Sequence, residues 1–80
     1  MPEMIDITVK LFAQYRKDNF KVEIRSYESN VIASDIIADT RINIERFPIG
    51  VLMINGRHVG ESATLKHSDT LSIFPKIGGG

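Results

Sequence analysis

The chain opens with apolar residues at every second position. In "MIDITVKLFA", Ile5, Ile7, Val9 and Leu11 fall on one face, the signature of a strand with one buried side. "YRKDN" is polar and reads as a turn. "FKVEIRSY" then alternates again and predicts a second strand with Phe20, Val22, Ile24 and Ser26 turned inward, so the first two strands form a hairpin. The period changes in "SNVIASDIIADT". Ile32, Ala33, Ile36, Ile37 and Thr40 recur at helical spacing, which predicts a helix over 31–39 with Ser29 or Asn30 as N-cap. "RINIERFP" keeps neither period and is expected to be irregular and partly buried through Ile42, Ile44 and Phe47.

The strongest local signal is "GVLMINGRHVG". Asn55-Gly56 separates two apolar segments, and both residues accept the positive φ angles of a tight two-residue hairpin. "ESATLKHSD" is rich in turn formers, with Leu65 as its anchor and Asp69 expected to organise the turn through its side chain. "TLSIFP" is the last strand, with Leu71 and Ile73 on its inner side. Pro75 cannot donate to a ladder and should end that strand or lie at an edge. The order strand, strand, helix, strand, short strand, strand predicts an α+β fold in which one helix crosses a mixed sheet of four to five strands. That is the β-grasp, or ubiquitin-like, arrangement. The expected boundaries are a folded domain over 1–75 and a flexible glycine-rich tail over 76–80.

Composition narrows the function classes. Eighty residues argue for one domain, able to bury roughly 60–65% of its unfolded surface. Ten basic side chains balance ten acidic ones, so no formal charge excess points to nucleic acid or an anionic membrane. No apolar run reaches the length of a membrane span. The start "MPEMIDITVK" lacks the basic and apolar regions of a signal peptide, so a cytoplasmic location is expected. The absence of cysteine excludes disulfides, thiolate metal sites and cysteine nucleophiles.

Side-chain chemistry is sparse. His58 and His67 lie at turns with no third ligand at metal spacing and read as solvated residues. Asp35 and Asp39, four apart on the helix, would need a cleft to work as a catalytic pair and read instead as solvated helix face. Arg16, Lys17, Lys21 and Arg25 are interrupted by Asp18 and Glu23, and "GRHVG" lacks the spacing and context of a phosphate loop.

What remains is the ending, "FPKIGGG". It reads either as a passive loose end or as the working part. In the second reading the terminal carboxylate is activated as an acyl-adenylate and then attacked at its carbonyl. Residues without side chains would let the backbone pass through a narrow partner channel, where position controls rate. Five residues from Lys76 reach up to ~17 Å when extended, and the run follows Phe74-Pro75 with no linker.

The chain resembles the MoaD/ThiS family of ubiquitin-like sulfur carriers, over nearly its whole length. "LFAQYR" is similar to the end of the first strand in the small, sulfur-carrying subunit of molybdopterin synthase. "MINGRHV" is similar to the family's hairpin, "LKHSDTLSIFP" to its turn and final strand, and "FPKIGGG" to its tail. Lys76, where a second proline is common, departs from the pattern, as do Ser68, where glycine is usual, and Lys17, where an acid often stands.

The resemblance implies a role without catalysis by the chain itself and with no bound cofactor. A ubiquitin-activating-type enzyme would adenylate the Gly80 carboxylate with ATP, and a sulfur donor would convert it to a thiocarboxylate. The tail would then enter the large subunit of molybdopterin synthase and pass sulfur to a pterin precursor. Gly80 would be the group changed, while Gly79 and Gly78 would let it pass. Phe74, Pro75 and Ile77 would hold the tail base against the partner. Nucleic acid and membrane are not expected partners. Three alternatives stay open: a thiamine-type sulfur carrier, a protein modifier conjugated through Gly80, and a β-grasp interaction domain with a passive tail.

Overall fold

The computed structural model describes residues 3–17 and 19–76. The elements run β1 (Met4–Leu11), a 3₁₀ turn (Ala13–Arg16), β2 (Val22–Glu28), α1 (Ala33–Thr40), β3 (Ile49–Ile54), β4 (Arg57–Val59) and β5 (Thr70–Pro75). They build one five-stranded sheet in the order β2-β1-β5-β3-β4. β5 lies parallel to β1, and the other neighbours are antiparallel. The helix packs on one face. This is the β-grasp predicted from the element order.

The core follows the first alternation. Ile5, Ile7, Val9 and Leu11 are buried beneath Ala33, Ile36 and Ile37 of α1, with Leu52, Leu65, Leu71 and Ile73 completing the cluster. Truncating a side chain such as Ile36 to alanine in such a core costs about 2–5 kcal/mol. Ile42 and Phe47 pack against the cluster, but Ile44 is exposed.

Two expectations need correction. The alternation in β2 does not mark its inner face. The register pairs Ile5 with Tyr27, Ile7 with Arg25 and Val9 with Glu23, so the odd residues of β2 share the helix side with the core. Val22 and Ile24 lie on the open face, 56% and 69% exposed, and Ser26 is exposed beside them. The inner positions are filled by amphipathic side chains whose stems pack while their polar ends leave the core. The Arg25 guanidinium covers the Phe20 ring at 4.9 Å and bonds Asp39 at 2.8 Å, where the Tyr27 hydroxyl also donates, at 2.8 Å.

The helix also begins later than its apolar spacing implies, and neither Ser29 nor Asn30 caps it. Ile32 instead bridges to Thr64, and the chain turns helical only at Ala33. The first free helix donors are taken by backbone carbonyls: Ala33 N–H by Ala63 and Ser34 N–H by Glu61, both at 2.9 Å. Asp35 folds back to accept from the Ile32 N–H at 3.3 Å. Such a tertiary cap leaves no trace in the local sequence.

The hairpin at Asn55-Gly56 is as expected, with φ of 52° and 81°. Asp69 ties this hairpin to the start of β5. Its carboxylate accepts from Lys66 N–H at 2.8 Å and from Asn55 Nδ2 at 2.9 Å, while the side-chain oxygen Oδ1 of Asn55 accepts from Thr70 N–H at 2.9 Å.

Candidate functional site

The only segment that the sequence marks for chemistry is the one that continues β5. Ile77, Gly78, Gly79 and Gly80 lie outside the described residues, so the site is read from its root, Phe74, Pro75 and Lys76. β5 sits between β1 and β3 and is bonded to both. The root therefore lies at the centre of the sheet, not at a loose edge. Pro75 ends β5, as its missing donor requires.

Three contacts fix the root. The Lys76 N–H donates to the Pro48 carbonyl at 2.7 Å. The Phe74 ring stacks on Phe12, with centroids 4.1 Å apart and planes 13° from parallel. Arg16 covers the Phe12 ring at 4.9 Å, and its Nε donates to the Leu11 carbonyl at 2.7 Å. "LFAQYR" and "FPK", far apart in the chain, thus meet at one end of the sheet.

The third contact is a close backbone approach. The register of β3 against β5 shifts between Ile49, which faces Pro75, and Val51, which faces Phe74, leaving Gly50 as the extra residue of a bulge. A Cβ on Gly50 would lie 2.7 Å from Lys76 Cα, 2.8 Å from Lys76 N and 2.8 Å from the Pro75 oxygen. Only a residue without a side chain lets β3 come this near the root.

Beside the root is an open, mostly apolar groove of about 420 Å³ on the sheet face away from the helix. It is lined by Gly50, Val51, Met53, His58, Phe74, Pro75 and Lys76. Phe74 is half-buried there, Pro75 is buried and Lys76 exposed. Among the described residues no carboxylate lines the groove. Of the residues named from sequence, Phe74 and Pro75 are thus brought together. Phe12, Gly50, Val51 and Met53 were missed, and His58, read as a solvated turn residue, also lines the groove; an isolated glycine near the start of a strand is a known mark of a bulge or close approach. A second cleft, of about 450 Å³, is polar. It lies beside Tyr15 and Phe47, with Lys17, Arg41 and Arg46 around it.

Of the other candidates, Asp35, Asp39 and His67 have structural work. His58 and His67 are exposed, and His67 Nδ1 accepts from the Asp6 N–H at 3.0 Å. Asp39 holds Arg25 and Tyr27. Hydrogen bonds from Tyr27 and then Arg25 keep its carboxyl below the usual range. Burial, then the bond to Asp39, pushes the Tyr27 hydroxyl up to about 12. Among the described residues no group of three or more His, Asp or Glu side chains could hold a metal, and no helix is long and apolar enough to cross a membrane.

No family model and no curated protein matches the chain. Solved structures do. A Pyrococcus furiosus protein described as a candidate molybdopterin converting factor subunit 1 superposes with a TM-score of 0.75. It is 22% identical over 91% of this chain and 99% of that one. The Haloferax volcanii protein HVO 2177 gives 0.75, with 18% identity over 96% and 88% of the two chains. Small archaeal modifier protein 1 of Haloferax volcanii gives 0.71, with 14% identity over 91% and 99%. This chain has the β-grasp fold that those small proteins share.

Proposed function

We propose that the chain is a sulfur carrier, the small subunit of a molybdopterin synthase, that carries sulfur on the Gly80 carboxyl group. The observation that supports this reading is the root from which "IGGG" follows in the sequence. Phe74, Pro75 and Lys76 end a central strand and are pinned by Phe12, Gly50 and Pro48, next to an open apolar groove. The groove and the Phe74 ring would receive an apolar surface of the partner, while the glycines thread its active site.

The chemistry takes place on the chain terminus. An activating enzyme of the ubiquitin-activating type would join the Gly80 carboxylate to the α-phosphate of ATP, releasing pyrophosphate. A persulfide sulfur donor would displace AMP at the acyl carbon. Reductive cleavage of the sulfur–sulfur bond by a thiol then leaves the thiocarboxylate. In the large subunit this sulfur would attack the pterin precursor, and hydrolysis would return the carboxylate. The chain supplies reach and placement, the catalytic groups belong to its partners, and ATP is used by the activating enzyme. The setting is cytoplasmic.

A purified large subunit with loaded carrier and precursor tests this. Gly80→Ala, or one residue added after Gly80, should leave the fold intact and impair sulfur transfer. Normal product formation by both variants would refute the carrier role. The likeness to an archaeal modifier protein favours a second reading, in which the same adenylate is attacked by a lysine amine to give an isopeptide.

A further inference from the structure

The two edges of the sheet are unlike. β4 is only Arg57–Val59, and so short an edge offers little to pair with. β2 spans Val22–Glu28 and has no proline, lysine or bulge; its charges, Glu23, Arg25 and Glu28, are of both signs. Its free side can be identified residue by residue. Leu11 N–H donates to the Lys21 carbonyl at one end of the β1–β2 ladder, and Ser29 N–H to the Glu3 carbonyl at the other. Odd residues of β2 therefore bond to β1, and the N–H and C=O groups of Val22, Ile24 and Ser26 point away from the sheet. Among the described residues nothing covers them.

The side chains along that edge select a partner. Ile24 is 69% exposed and Val22 56%, both on the open face. Glu23 and Arg25 flank Ile24 on the helix side. Asp39 engages Nη1 of Arg25 at 2.8 Å and Glu23 of the same copy approaches its Nε at 3.6 Å, while Nη2 makes no bond among the described residues and is left for a partner carboxylate.

From this edge we infer that the protein pairs with a second copy of itself through β2. The two strands run antiparallel about a two-fold axis at Ile24 and merge two sheets into one. Three features fix this register. The outward groups of Ile24 bond to those of Ile24 in the second copy, and Val22 exchanges bonds with Ser26. The two Ile24 side chains meet on the open face. Glu23 of each copy lies opposite Arg25 of the other, an opposite-charge pair made twice. Neighbouring registers lose this. Moving the axis to Arg25 sets arginine against arginine, and moving it to Glu23 sets glutamate against glutamate. An axis at Ser26 places Ile24 against Glu28 with no ion pair. β1 separates β2 from β5, so the groove and the tail root of each copy stay open.

Two measurements on the full chain test the pairing. In sedimentation over a concentration series, the mass should rise from 9.0 kDa toward twice that value. Ile24→Lys, which sets two ammonium groups together at the axis, should remain monomeric and melt with the wild type at concentrations where the wild type is itself monomeric. The register is tested by cross-linking, because the natural chain has no cysteine to confuse it. Opposed hydrogen-bonded residues have Cα atoms about 5.5 Å apart, within disulfide range. Ile24→Cys should therefore give a disulfide dimer under mild oxidation. Ser26→Cys, on the same edge but roughly 13 Å from its own copy, should not. A monomer mass at every concentration would overturn the inference, and so would equal cross-linking of the two cysteine variants.

Discussion

Gly50→Ala puts one methyl group where β3 crosses the tail root. The added Cβ would sit 2.7–2.8 Å from three backbone atoms of Pro75 and Lys76, none of which can swing aside as a flexible side chain would. Relief requires β3 and the root to part. Forcing an extra methyl into a packed site costs about 1–3 kcal/mol. Parting the strands also strains the bond from Lys76 N–H to the Pro48 carbonyl, worth about 0.5–1.5 kcal/mol. Restricting the unfolded chain returns about 0.4–1 kcal/mol. The net expectation is a loss of roughly 1–3 kcal/mol. In a domain of this size each kilocalorie moves the midpoint by about 4–8 °C, so thermal unfolding followed by circular dichroism should show a clear fall. Gly60→Ala is the control, since its Cβ would meet nothing within 4 Å. If Gly50→Ala melts with the wild type, the close approach does not hold the root.

Further predictions rest on single features. Gly56 has φ of 81° in open space, so Gly56→Val meets backbone strain alone and should destabilise by about 1 kcal/mol or more, read by urea unfolding. Ser68 holds φ of 72°, and Ser68→Gly should raise stability by about 0.5–1 kcal/mol, since relief of the left-handed strain outweighs the entropy cost of glycine. The Tyr27 hydroxyl has a folded pKa of about 12 against an ordinary 10, so its contribution is intact below pH 10 and is lost as pH rises towards 12. Absorbance titration of wild type and Tyr27→Phe should reveal this late phase, and a Tyr27 phase near pH 10 would contradict the Asp39 bond. Asp39 has the opposite sign: its lowered pKa stabilises above the ordinary carboxylate range, and that share is lost as pH falls through the folded value.

The parts of the fold legible in the sequence were those set by local chemistry. β1 declared itself because its buried face alternates cleanly, and Asn55-Gly56 because few other residue pairs turn so tightly. β2 misled because alternation gives the period of a strand and not which face is buried. The register to β1 decides that, and it put Arg25 and Tyr27 inside. The helix cap was hidden because its acceptors, Glu61 and Ala63, come from a distant loop. At the candidate site, Phe74 and Pro75 could be named from the tail motif. Phe12 and Gly50 could not, since their roles depend on strands that meet only in the folded sheet.

Sulfur carriage changes one atom of the Gly80 carboxyl group, and intact mass spectrometry of the protein from its native host, with the C-terminal peptide sequenced, reads that atom. A sulfur carrier should show a population in which one sulfur replaces one oxygen at Gly80, raised when the large subunit is removed. A Gly80 carboxyl found only in isopeptide linkage to lysines of other proteins would contradict the carrier reading.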